Sequence, residues 1–190
     1  MKMKFKCGDK AEASVTLAKS MRSGAKLGGV FEIDCYRPDG SLAWHERAEN
    51  IMTDEGLNRN LNVFWHGTTQ TSPWYMGLVE TDTVPAAGMT YDTPVFTECT
   101  AYDETTRPAY NEALSTAKST TNSANKAAFT MNATKTIYGA FLASVSTKGD
   151  HTAGADNVLA CYARFSASQA VQDDYVLSAT YTSSAADDGV

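Results

Sequence analysis

Tyr175-Val176-Leu177-Ser178-Ala179-Thr180-Tyr181-Thr182 decides the fold class. Tyr175, Leu177, Ala179 and Tyr181 alternate with Val176, Ser178, Thr180 and Thr182, and a period of two places one set on each face of a strand. Upstream, Lys126–Asn132, Ile137–Val145 and Val158–Phe165 read as further strands. Lys148-Gly149-Asp150 and Gln172-Asp173-Asp174 supply turn residues between them. Short strands at this spacing predict a mainly all-β protein, a jelly-roll-like antiparallel β-sandwich, although a barrel would satisfy the same pattern.

Phe31, Ile33 and Cys35 alternate with Glu32, Asp34 and Tyr36, and Arg37-Pro38-Asp39-Gly40 follows as a turn. With Leu42–Asn50 as the returning strand, this predicts a β-hairpin. One short α-helix is expected next. Thr53 can cap it, Asp54 and Glu55 suit its positive end, and Leu57, Leu61 and Phe64 form a stripe expected to face a core. Gly56, Asn58, Asn60 and Asn62 are poor helix formers, so packing has to hold this helix. Trp74–Glu80 reads as a buried strand in which Gly77 marks a bulge or a close backbone approach. Thr81–Arg107 is long and aperiodic, the pattern of a functional excursion that would touch a neighbour. Ser115–Lys126, rich in Ser, Thr, Asn and Ala, is expected as an exposed loop.

The 190 residues suit one domain with an arm, divided as a basic N-terminal arm over 1–27, the sandwich over 28–183 and a flexible acidic tail over 184–190. Net charge is −6 but unevenly spread. Up to Lys26 there are seven basic residues (Lys2, Lys4, Lys6, Lys10, Lys19, Arg22, Lys26) against Asp9 and Glu12, leaving nine basic and twenty acidic residues beyond. Those seven cations are the candidate partner-binding residues, because a basic arm on an acidic body suits assembly with neighbouring subunits, the alternative being a merely solvated, disordered terminus. The acidic body argues against nucleic acid as a partner. No apolar run approaches a membrane span, and Met1–Lys10 lacks the apolar stretch of a signal peptide, so a soluble, cytoplasmically made protein is expected.

Catalytic and cofactor signatures are missing from the sequence. It contains no HExxH, DxDxDG, GxSxG, GxGxxG or GxxxxGK[ST] motif, so no catalytic, cofactor-binding or metal-binding residue is assigned and a non-enzyme is expected. His45 lies beside Glu46 on a strand, so their side chains point to opposite faces. His66 falls where the helix ends, and His151 falls in a turn. Cys7, Cys35, Cys99 and Cys161 form no CxxC pair and read as small buried apolar residues. Trp44, Trp65 and Trp74 read as core or interface anchors, or else as the lining of a sugar-binding groove.

Glu49-Asn50-Ile51-Met52-Thr53-Asp54-Glu55-Gly56-Leu57-Asn58 and Trp74-Tyr75-Met76-Gly77-Leu78-Val79 resemble a family of small tailed-bacteriophage virion structural proteins. Thr106-Arg107-Pro108-Ala109-Tyr110, Phe129-Thr130-Met131-Asn132-Ala133-Thr134, Gly139-Ala140-Phe141-Leu142 and Ser146-Thr147-Lys148-Gly149 extend the resemblance over about Gly28 to Thr182. It implies a structural role in the virion, as head decoration or cement, or as a head-fibre or minor tail component. It carries over no functional residues. The expectation is a capsid decoration protein that binds across major capsid subunits on the shell exterior and associates with copies of itself. The alternative is a tail or head-fibre adhesin for host surface glycans.

Overall fold

The computed structural model describes residues 24–187, and within them the protein is a mainly β, antiparallel sandwich with one helix. In chain order the elements are β1 (Ala25–Tyr36), β2 (Leu42–Glu49), β3 (Ile51–Met52), α1 (Asp54–Trp65), β4 (Trp74–Val79) and β5 (Glu98–Cys99). Then follow β6 (Ala109–Tyr110), β7 (Ser119–Thr121), β8 (Ala127–Thr130), β9 (Lys135–Ala143), β10 (Leu159–Val171) and β11 (Val176–Asp187). The first sheet runs β2-β1-β11, with β7 and β8 both pairing β11. The second runs β3-β10-β9-β4, with β5 and β6 both pairing β4.

The expected hairpin is β1–β2. The Gly40 N–H donates to the Arg37 carbonyl at 2.8 Å, and the Asp39 carboxylate accepts from both the N–H and the hydroxyl of Ser41. The alternating strand that decided the fold is the centre of the first sheet, paired along its length with β1.

Both ends of that ribbon reach further than the sequence suggested. β1 starts at Ala25 opposite Asp187, so Lys26 and Leu27, expected in the arm, and Ser184–Asp187, expected in the tail, are ladder residues. Backbone pairing needs no apolar side chain, which is why the small residues here gave no strand signal. Ser115–Lys126 departs from expectation in the same way. β7 lies within it, and the buried Asn122 amide bonds the Ala179 carbonyl and the Tyr181 N–H of β11.

The core lies between the sheets. Phe31, Ile33 and Cys35 of β1, Phe129 of β8, and Leu177 and Tyr181 of β11 meet Met76 and Leu78 of β4, Ile137 and Leu142 of β9, and Cys161 and Phe165 of β10. A second apolar layer covers the outer face of the second sheet. There Val79, Phe141, Ala143, Leu159 and Tyr162 pack against Met89, Tyr91 and Phe96 of the long 81–107 segment. This segment is therefore not a projecting excursion. It is a lid held by its own buried side chains, and it explains why β9 is buried on both faces instead of alternating.

Gly77 sits opposite Phe141 in the β4–β9 ladder, and the Phe141 ring lies where a Cβ on Gly77 would be, at 2.1 Å. What approaches Gly77 is thus an aromatic ring of the second layer and not the expected backbone.

The sheets are also stitched at one margin by Glu46. Its buried carboxylate, on β2, accepts from the N–H and hydroxyl of Ser166 at 2.9 and 2.8 Å and from the Gln169 amide at 2.9 Å, both on β10. Glu46→Ala should destabilise the protein by about 1–3 kcal/mol, because three hydrogen bonds to a buried, charged acceptor are lost. The shift in urea midpoint measures this, and an unchanged midpoint would show that the carboxylate contributes nothing net.

Candidate interaction surface

Helix α1 begins where the sequence placed it. The Thr53 hydroxyl oxygen accepts from the Gly56 N–H at 3.0 Å, and that hydroxyl donates to the Leu159 carbonyl of β10. The Glu55 carboxylate accepts the N–H groups of Tyr91 and Leu159, both at 2.9 Å, tying helix, lid and β10 together. Gly56 is the one fully buried residue of α1, and a Cβ on it would lie 2.3 Å from the Ala160 carbonyl oxygen. The helix backbone therefore rests directly on β10.

This contact decides which face of the helix is left over. Gly56 is buried and Glu55, Leu57, Arg59 and Val63 are half-buried, and Arg59 bonds Thr71 at 2.9 Å and Asp156 at 3.0 Å. The stripe expected to face the core is turned about 100° away, one residue round the helix. Leu61 is 55% exposed, Phe64 76% and Trp65 78%. The expectation of a core-facing Leu57–Leu61–Phe64 stripe is thus corrected at Leu61 and Phe64, while Leu57 is half-buried, because a glycine allows a closer approach than leucine and the helix seats itself on that side.

The Phe64 and Trp65 rings pack edge-on at 4.6 Å between centroids. Together with Leu61 and Asn60 they line one side of a groove of about 510 Å³, whose other side is Ala25, Leu27 and Ala185 at the end of the β1–β11 ribbon. Its lining carries no charged side chain. The expected end of the sandwich near Gly28 would have missed this wall, since it is built from the ribbon's extension.

A smaller cleft of about 190 Å³ opens beside the helix between the sheets, where Trp74, Tyr110, Asn60, Gln70 and Glu112 meet. Trp65 and Trp74 thus line separate cavities that share only Asn60. Trp44 is elsewhere, its indole N–H donating to the Ala170 carbonyl at 3.0 Å and its ring set against Phe165. The three tryptophans do not make one sugar-binding groove.

A buried charged cluster lies inside the lid. Arg107 and Glu98 are both buried and joined by two hydrogen bonds, Nε–Oε1 at 2.8 Å and Nη2–Oε2 at 2.6 Å. Arg107 also donates to the carbonyls of Val145 and Asp150 and to the Tyr91 hydroxyl. The Gly149 N–H adds a bond to Glu98, and His151 Nε2 stands 3.4 Å from it. Burial pushes the Glu98 carboxyl up, but the Arg107 hydrogen bonds, reinforced by His151 and Gly149, hold it below its ordinary value. Every strong donor of Arg107 is committed to the protein itself, which makes this a clamp between the lid and the 146–151 turn. No local sequence signal distinguishes a buried arginine from a surface one.

The remaining candidates are placed as follows. His45 bonds Asp34 at 2.7 Å, and Asp34 also meets Lys126, so its carboxyl is held low chiefly by the histidine. His66 is the C-cap of α1, its backbone N–H bonding the Asn62 carbonyl. Cys35, Cys99 and Cys161 are free and buried, and burial pushes the Cys35 thiol up to about 11 and Cys161 to about 12, so neither is a thiolate near neutrality. Among the described residues no cluster of His, Cys, Asp and Glu could hold a metal ion, and no helix is long and apolar enough to cross a membrane. Of the seven candidate partner-binding cations, Lys26 is an exposed ladder residue of β1. Lys2, Lys4, Lys6, Lys10, Lys19 and Arg22 lie outside the described residues, as does Cys7.

No family model matches this chain, and no curated protein matches its sequence.

Proposed function

We propose that this chain is a structural, non-enzymatic virion protein of a tailed phage, a capsid decoration protein that binds across major capsid subunits on the outside of the shell. The virion setting is supported by the resemblance of the segments between Gly28 and Thr182. The observation that carries a binding role is the α1 face, an aromatic and aliphatic surface that the rest of the described fold leaves uncovered. Such surfaces on a folded domain mark protein contacts. The helix that carries it is tied to β10 and the lid through Thr53 and Glu55. The basic residues before β1 add a charge of opposite sign to the acidic body and suit acidic surface on adjacent subunits.

The test is binding of the purified protein to shells that lack it, at low and high salt. Saturable binding that weakens with salt is expected. A variant deleted for Met1–Ser23, which leaves the β1–β11 ladder intact, should bind shells at least about tenfold more weakly through loss of its charges. Absence of binding to shells, together with selective retention on host surface polysaccharide, would replace this reading with a tail or head-fibre adhesin.

A further inference from the structure

We infer that the α1 face is the surface through which two copies of this chain associate. This deepens the proposed role and rests on its premise that the face binds protein.

The first argument is area. Trp and Phe each carry about 150–250 Å², and Trp65 and Phe64 are 78% and 76% exposed. With Leu61 at 55% and Leu27 at 39% exposed, the open apolar surface comes to about 450 Å². This falls within the roughly 300–600 Å² of a monomer's largest patch, a patch that is often a binding surface. A standard interface buries about 800 Å² on each partner, a little over half of it apolar. The patch therefore supplies the apolar centre of one such interface.

The second argument is shape. The patch holds a projection and a hollow side by side: the Phe64–Trp65 pair stands at the end of the helix, and the groove runs between it and Ala25, Leu27 and Ala185. An isologous two-fold contact requires one patch to carry both halves of its own complement. A copy rotated by a two-fold axis can lay its aromatic pair against the groove wall of the first and receive the same in return. The third argument is charge. The chain carries −6 overall, so self-association is opposed unless the contact is free of like charges. The groove lining is uncharged.

The experiment is sedimentation equilibrium on the full chain, without shells, for the native protein, for Phe64→Ser/Trp65→Ser and for Leu61→Arg. A native dimer that dissociates on dilution is expected. Both variants should weaken dimerisation at least about a hundredfold, as loss of anchor residues does. Their circular dichroism should be unchanged, because the altered side chains are exposed, and their thermal midpoints should match that of the native chain at dilutions where it is monomeric. A native chain that stays monomeric at tens of micromolar, in the range where weak dimers form, overturns the inference. So does a dimer that survives both variants. If the chain is monomeric and the same variants abolish shell binding, the face belongs to the capsid and the inference is wrong while the decoration role stands. If it is monomeric but dimerises once Val15, Leu17 and Met21 are changed to serine, the chain's own N-terminal segment covers the face, which also overturns it. A dimer sensitive to the variants that ignores shells would keep the inference and sink the decoration role.

Discussion

Arg107→Met should destabilise the protein by about 3–5 kcal/mol at neutral pH, because it strands the buried Glu98 carboxylate without its counter-charge. Methionine approximates the length of the arginine stem, so the loss is electrostatic more than steric. Adding Glu98→Leu should recover much of the stability, since a buried ion pair can be replaced by apolar side chains at little net cost. Urea unfolding of the two single variants and the double variant measures the coupling. A single variant with native stability would show that the clamp contributes nothing.

The same pair sets a pH dependence whose sign follows from the direction of the Glu98 shift. The carboxyl is held below its ordinary value of 4.5 in the fold. Its contribution to stability is therefore present above the unfolded value, about 4.3, and is lost as pH falls through the lower folded value. In Arg107→Met the buried carboxyl has lost its main stabilising partner and burial dominates, so its folded value rises. That variant should then be relatively more stable below the unfolded value and lose stability as pH climbs. Unfolding free energies of both proteins between acid and neutral pH test this, and parallel profiles would refute the assignment.

Gly77→Val should cost about 3 kcal/mol, at the upper end of ordinary overpacking penalties. A Cβ on Gly77 would sit 2.1 Å from the Phe141 ring, and that ring is itself wedged against Phe96 of the lid at 5.0 Å between centroids. The ring cannot swing away without opening the second apolar layer. Phe141→Leu on this background should restore part of the loss, though each change alone is destabilising. A double-mutant cycle in urea reads the coupling, and strict additivity would mean that Gly77 is required for something other than the ring.

Seen from particular residues, much of the β architecture was legible locally. Tyr175–Thr182 announced the central strand by its period of two, Pro38-Asp39-Gly40 marked the hairpin, and Thr53 marked the start of the helix. Each of these signals is carried by neighbours in the chain, through alternation, turn chemistry or a cap. The small-residue ends of β1 and β11 escaped detection because backbone ladders need no side-chain pattern.

By itself, then, the sequence determined a chain of short antiparallel strands with one capped helix and no catalytic signature. Only the tertiary structure decided which side of that helix is covered. A leucine stripe and a glycine compete for the same sheet, and the glycine wins because it lacks the Cβ that would lie 2.3 Å from the Ala160 carbonyl oxygen of β10. That choice leaves Leu61, Phe64 and Trp65 outside as a surface. The same holds for Arg107, Glu98 and the 81–107 lid. Their burial depends on partners 38 to 51 residues away in the chain, across a distance over which local pattern carries no information.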